Sequence, residues 1–373
     1  MKYISIALFV MVLGCKEKYD IVASPSLTSI LVVDGNLNSG QGPTIIKLSR
    51  TVPNTDTTKF RPETGAILII EGKDNSTTTL TDMGEGVYGI AQANIITGQE
   101  YRLRIQTSNG KLYLSDYVLA KNNPPIDSIG WTRANDGVTV YVNTHDPQNS
   151  TWYYRWDFNE TYEIRSHYFS LYKWDSVANK VLQRSQSEYV DTCYKSFQPT
   201  VILLGSSAKL QADVISEQPL VFIPNGSEKL AIKYSILVKQ YSLTKEAYDY
   251  LQVMKKNTES IGSFFGVLPS ELHGNIHSLS GSDEEVIGFI TASPELEKRI
   301  FITNDQLSNW NYSDGCVTKI IANNPDSFKT FFPEYLPYEV YQPGPAVLGY
   351  YSSFSYCVDC TTRGGSLQKP SFW

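Results

Sequence analysis

Apolar and polar positions alternate along most of this chain in short runs, separated by turn residues. Between residues 29 and 120 the β-branched and apolar runs are Ser29 to Val33, Thr44 to Leu48, Ala66 to Ile70, Thr77 to Leu80, Gly86 to Ile90, Tyr101 to Thr107 and Leu112 to Val118. Short strands recurring at intervals of roughly ten residues predict a β-sandwich over 29–120. Tyr101-Arg102-Leu103-Arg104-Ile105 has a period of two, with one apolar and one cationic face, so only one face of that strand is buried. Asn109-Gly110 lies between two such runs and predicts a type I′ hairpin, a turn that needs φ > 0 at both central positions.

Lys121 to Pro125 carries no periodicity and contains a Pro-Pro pair, so it is read as a linker, 121–125. A second, larger β-rich unit is expected over 126–373. Its strands are expected at Ser128 to Arg133, Val138 to Asn143, Thr151 to Tyr162, Lys229 to Gln240, Glu285 to Ala292 and Arg299 to Thr303. Residues 163–200 are polar and aromatic without a clear period and read as a long excursion. One prominent α-helix is predicted near 243–259, because Leu243, Ala247, Tyr250, Leu251 and Met254 fall on one stripe. Ser242 is its expected N-cap and Gly262 its expected stop. From Phe331 onward the chain is rich in Pro, Tyr and Gly and reads as an irregular tail pinned by cysteines. The fold class is therefore mainly β.

Composition narrows the function classes. Of 373 residues 41% are hydrophobic and 19% charged, with a net charge of −6. That balance suits a folded protein and argues against a nucleic-acid surface. The chain opens with Met1-Lys2-Tyr3, an apolar run from Ile4 to Gly14, and Cys15. The run is too short to span a bilayer, so 1–14 reads as a cleaved signal peptide. Val12-Leu13-Gly14-Cys15 resembles the bacterial lipobox, which makes Cys15 the expected lipidation site and 15–28 a lipidated tether. The protein is therefore expected to be anchored to a membrane by lipid and not to span it.

Cys193, Cys316, Cys357 and Cys360 remain, an even number for an oxidising compartment. Two structural disulfides are expected, with three connectivities open. Cys357-Val358-Asp359-Cys360 also has redox or half-zinc spacing, but it has no second Cys or His pair to complete a metal site. Gly84-Glu85-Gly86-Val87-Tyr88-Gly89 matches a dinucleotide fingerprint, but the β-branched residues after it predict a hairpin and not a phosphate-binding helix. His273 and His277 flank Gly274-Asn275 and read as loop residues. Glu284-Glu285 and Glu295/Glu297 read as solvated edge carboxylates. No catalytic residue, metal or cofactor is assigned. Aromatics make up 12% of the chain. The cluster at Trp152 to Trp156 suits a core, whereas Phe331, Phe332, Tyr335 and Tyr338 are candidates for a binding surface.

The closing segment from Cys357 to Trp373, with Leu31-Val32-Val33-Asp34-Gly35, Gly86-Val87-Tyr88, Tyr234 to Tyr241, Gly274-Asn275-Ile276 and Val286-Ile287-Gly288-Phe289, resembles a family of Bacteroidota lipoproteins. That family is the domain of unknown function numbered forty-two forty-nine. The resemblance implies an outer-membrane location, lipid-anchored and facing either the periplasm or the cell surface, an immunoglobulin-like N-terminal domain, and association with a TonB-dependent outer-membrane transporter. The expected role is a non-enzymatic accessory or binding subunit. An adhesive or structural surface protein is the alternative, and a carboxylate-based surface hydrolase a further one.

Overall fold

The computed structural model describes residues 29–52, 60–259, 272–281 and 284–373. The signal peptide, Cys15, the tether and Gly262 lie outside them. The chain is mainly β, as its patterning implies. It forms an N-terminal sandwich, a second sandwich, and a small aromatic C-terminal sheet.

In the first sandwich the hydrogen-bonded order runs from Ile276–Ser278 through Leu112–Ser115, Glu100–Gln106, Ile67–Gly72, Thr77–Asp82, Val87–Ile90 and Thr44–Arg50 to Leu31–Leu37 and Val286–Gly288. Alternation sets its faces. Tyr101, Leu103 and Ile105 are buried, while Arg102 and Arg104 point out to Glu71, at 2.7 and 3.8 Å. The first and last strands of this order come from one short stretch of sequence, and they bring the two ends of the folded sheet together. Asn275 seals the junction: its amide donates to the Ile290 carbonyl (2.9 Å) and its side-chain oxygen accepts from the Ile290 N–H (2.8 Å). Gly274 has no room for a side chain because the Gly288 backbone carbonyl occupies that space.

Here the expected division into 29–120 and 126–373 needs correction. Ile276–Ser278, Val286–Gly288 and Thr291–Ala292 return to the first sandwich, the last two pairing with Leu31–Leu37 in parallel and the first with Leu112–Ser115 in antiparallel fashion. Sequence order hides this, because the free edge of Leu31–Leu37 is satisfied by chain more than 200 residues away. The Asn109-Gly110 turn also differs from expectation. Only Gly110 has positive φ, at 84°, and the loop is the three-residue Ser108-Asn109-Gly110 closed by Gly110 N–H to Thr107 C=O (2.8 Å). A three-residue loop of this kind needs positive φ only at its last residue, and the Asn109 side chain accepts from the Thr107 hydroxyl across it at 2.7 Å. Gly84 to Gly89 does form a β-turn and strand, as expected.

The second sandwich packs Ile126–Arg133, Gly137–Asp146 and Asp213–Pro224 against Thr192–Phe197, Tyr153–Arg165, Lys233–Ser242 and Leu296–Thr303. Val138, Val140 and Val142 meet Tyr154, Trp156, Phe158, Ile236 and Val238 in one core. Two polar hubs tie this unit to the linker. Gln240 is fully buried; its oxygen accepts from the Trp156 indole (2.9 Å), and its amide donates to the Pro124 carbonyl (2.7 Å) and the Thr144 hydroxyl (3.2 Å). Asn123 in turn donates to the carbonyls of Gln240 and Pro294, at 2.7 and 2.8 Å. Nearby, the Lys121 ammonium donates to the carbonyls of Thr151 and Leu243, both at 3.0 Å. Asp146, also buried, accepts from Gln148 N–H, Ser150 N–H, the Ser150 hydroxyl and the Thr151 hydroxyl.

The helix spans Lys245–Glu259. Its cap is Thr244, whose hydroxyl accepts from Ala247 N–H (3.2 Å), and not the expected Ser242, which ends a strand and donates to the Asn122 carbonyl. Leu243, Ala247 and Tyr250 are buried, and Tyr250 packs on Phe289, so the helix bridges the two sandwiches. Among the described residues no helix is long and apolar enough to cross a membrane.

The tail is not irregular. Lys319–Ala322, Gly349–Phe354 and Tyr335–Tyr341 form an antiparallel sheet, and a short helix, Pro325–Phe331, capped by Asn324, connects Lys319–Ala322 to Tyr335–Tyr341. Nor is 163–200 shapeless: Tyr172–Asp175 and Lys180–Gln183 form a hairpin whose Tyr172 and Trp174 pack on Tyr350 and Phe332. The proline-rich pattern misled because Tyr335–Tyr341 is an edge strand, where Pro337 is tolerated.

Two outcomes test the hubs. Gln240→Leu keeps the volume but orphans the Trp156 N–H and the buried Pro124 carbonyl, whereas the Thr144 hydroxyl keeps its bond to the Pro125 carbonyl, so the urea midpoint should fall by the equivalent of about 1–3 kcal/mol per orphaned group; an unchanged midpoint would contradict the assignment. For Asp146, burial pushes the carboxyl up, but the hydrogen bonds from Ser150, Gln148 and Thr151 outweigh it and bring the pKa from 3.8 down to about 2. Because the folded value is the lower one, this stabilisation is present above the unfolded pKa and is lost as pH falls between about 4 and 2, amounting to roughly 2 kcal/mol. The drop in stability over that window should be smaller in Asp146→Asn than in the parent chain.

Candidate functional site

A concave surface lies on the outer side of the second sandwich, where the strand Thr192–Phe197 meets the chain from Arg363 to Ser371. It is an open groove of about 860 Å3. Two cystine bridges decide what borders it. Cys193 pairs with Cys360 and Cys316 with Cys357, so the two cysteines of the C-x-x-C stretch bond to different partners and not to each other. Two disulfides were expected, and this is the connectivity the sequence left open. The Cys193–Cys360 bond draws the C-terminal segment against the edge of the sheet, and a reciprocal backbone pair, Tyr194 with Ser366 at 2.8 and 2.9 Å, continues the contact. Gly365 packs against Cys193 and Ile164, where a side chain would not fit.

The groove is cationic. Lys195, Lys229, Arg363 and Lys369 line it, and two carboxylates behind it hold three of these in place. Glu228 accepts from Lys195 (3.0 Å), Arg363 (2.5 Å) and the Tyr312 hydroxyl (3.3 Å). Glu160, almost fully buried, accepts from Lys229 at 2.7 and 2.9 Å and from the Tyr234 hydroxyl at 2.8 Å. Arg363 also donates to the Arg165 carbonyl at 2.5 Å. Four cations over two carboxylates leave an excess of positive charge facing solvent. Lys195 lies over the Tyr162 ring and Lys229 over the exposed Phe197 ring, each at 5.9 Å. Burial, then Glu228 and Glu160, raises the Tyr162 pKa above 10, so its hydroxyl stays neutral near pH 7. This arrangement suits recognition of an anionic group by fixed charges and aromatic walls.

A smaller cavity alongside, of about 320 Å3, contains His167 and Asp314, 3.0 Å apart. Cys316 stands close enough to suggest a metal trio, but its sulfur is bonded to Cys357, so it offers no thiolate.

The aromatics proposed from the sequence as a binding surface are packing residues. Phe332 and Tyr338 are buried. Phe331 and Tyr335 are half-buried, with the Lys319 ammonium 3.8 Å from the Phe331 ring. Tyr338 stacks on Tyr168 at 4.3 Å. Their alternation with proline resembled a loop, whereas they fill the faces of a small sheet. In the earlier cluster Tyr154 and Trp156 are fully buried, which agrees with the core reading. Exposed His277 is 3.1 Å from Asp116. Glu284 accepts from Lys111 and Tyr113, and Glu295 and Glu297 both bind Lys239, so these acids serve as ion-pair partners within the fold. Sequence reading missed Lys195, Lys229, Arg363 and Lys369; the available signal was Tyr194-Lys195-Ser196-Phe197, which alternates beside a cysteine.

If the Cys193–Cys360 bridge builds the groove, the Cys193→Ser/Cys360→Ser double variant should expose the Arg363–Gly364 bond to trypsin well before the sandwich is cut. It should also melt earlier, since a bridge across so long a loop contributes on the order of 4–5 kcal/mol in the chain-entropy model. Equal cleavage rates in the two proteins would remove the bridge from this role.

No curated protein matches the chain. Residues 16–299 match the family model described as Domain of unknown function (DUF4249), a span that includes the first sandwich and the second as far as the middle of Leu296–Thr303, and ends before the groove's C-terminal wall and the Cys357-to-Trp373 segment. By that match the chain belongs to the DUF4249 family.

Proposed function

We propose that the protein is a lipid-anchored binding component of the outer membrane, without catalysis of its own, and that it serves a TonB-dependent transporter as an accessory subunit. The lipobox-like Val12-Leu13-Gly14-Cys15 supports the anchor. The observation that carries the binding role is the open cationic groove, whose charges are held by Glu160 and Glu228 and whose wall is pinned by Cys193–Cys360. Fixed charges in an open, preformed groove favour capture of a partner or cargo, since little ordering is left to be done on binding.

The test is affinity capture of the tagged chain from membranes solubilised in mild detergent, with mass spectrometry of the partners. Recovery of a β-barrel transporter is expected, together with metabolic palmitate labelling that Cys15→Ser abolishes. Capture of matrix or neighbouring-cell components with no transporter would replace this reading with adhesion.

A further inference from the structure

Resting on the binding role just described, we propose that the groove takes an extended acidic segment of a partner protein, which adds as a strand to the free edge of Thr192–Phe197. That strand is the outermost of its sheet, paired on one side with Tyr153–Arg165. On its other side the bridge to Ser366 shows that the Tyr194 backbone points away from the sheet, and by alternation so does that of Ser196. After this single bridge the C-terminal segment leaves the edge. Ser196 is exposed, and among the described residues no backbone group pairs with it on that side. The groove opens where strand and segment part, so an unused N–H and C=O lie beside Lys195, Lys229 and Lys369.

An open edge templates another strand unless something blocks it. Lysines on an edge repel basic or neutral strands but favour one carrying carboxylates. Main-chain bonds would supply affinity and the cations selectivity. A sulfated glycan would meet the same cations, but it has no backbone to match the donor and acceptor of Ser196, and for that reason the peptide is favoured.

Fluorescence anisotropy on the full chain tests this with three probes: a labelled eight-residue peptide alternating glutamate with threonine and valine, the same peptide N-methylated at every second amide, and a sulfated tetrasaccharide. The acidic peptide should bind, and N-methylation should weaken it about tenfold. Ser196→Pro removes an N–H that the ladder does not use, which an edge strand tolerates, and should weaken binding to a similar degree with unchanged circular dichroism. Lys369→Glu should weaken binding and flatten its salt dependence. If Ser196→Pro does not fold, the N-methylated peptide makes the same measurement. No peptide binding, indifference to N-methylation, or equal affinity for the tetrasaccharide would overturn the proposal. If Ser196→Pro still captures the transporter as well as the parent chain, this site falls while the accessory role stands; if neither chain captures a transporter, the underlying reading falls.

Discussion

The carboxamide of Gln240 is the constraint on which the arrangement of the two sandwiches depends. A buried amide must find partners for both ends or cost the protein stability, and here its partners come from three separate places: the Trp156 indole in the core, Thr144 on the facing sheet and the Pro124 carbonyl in the linker. The linker is therefore held by the core it precedes. Asn123 extends the same network to Pro294, just beyond the strands that return to the first sandwich. Lys121 and Asp146 repeat the device at the next turn of chain. Apolar packing alone would tolerate some sliding between units, whereas directional bonds of this kind accept one geometry.

A second constraint, covalent, works at the far end of the molecule. The groove's two sides are more than 160 residues apart in sequence and meet because Cys193 is bonded to Cys360. Glu228 then bridges cations from both sides, Lys195 on the strand and Arg363 on the C-terminal segment. The buried Glu160 cannot lose Lys229 cheaply, since an unpaired buried carboxylate costs several kcal/mol. Part of the groove's charge is thus fixed by the fold, while Lys369 at the rim is free to serve selectivity.

Legibility followed the range of the interactions. The strands of the first sandwich could be read almost residue by residue, because a half-buried strand prints its period of two on the sequence, as Tyr101, Leu103 and Ile105 do. The long helix was legible from its stripe, but its cap was not: Ser242 and Thr244 both suit a cap, and the choice between them was made when Ser242 was taken into a strand bonded to the linker. The aromatic tail was misread because Phe332 and Tyr338 look the same in sequence whether they face a partner or the hairpin at Tyr172–Gln183 and Tyr168.

The sequence by itself determined the β class, the spacing of the strands, the location of the helix, the four cysteines beyond Cys15 and the expectation of a lipid anchor, since each of these is legible without knowing which distant residues meet. Only the tertiary structure decided which cysteines pair, that Ile276–Ser278 and Val286–Gly288 close the first sandwich, and that Lys195, Lys229, Arg363 and Lys369 share one groove. Those outcomes depend on edges, charges and thiols meeting across 41 residues for Cys316–Cys357, 167 for Cys193–Cys360 and more than 200 for Leu31–Leu37 with Val286–Gly288, and local patterning carries no record of which distant partner will satisfy them.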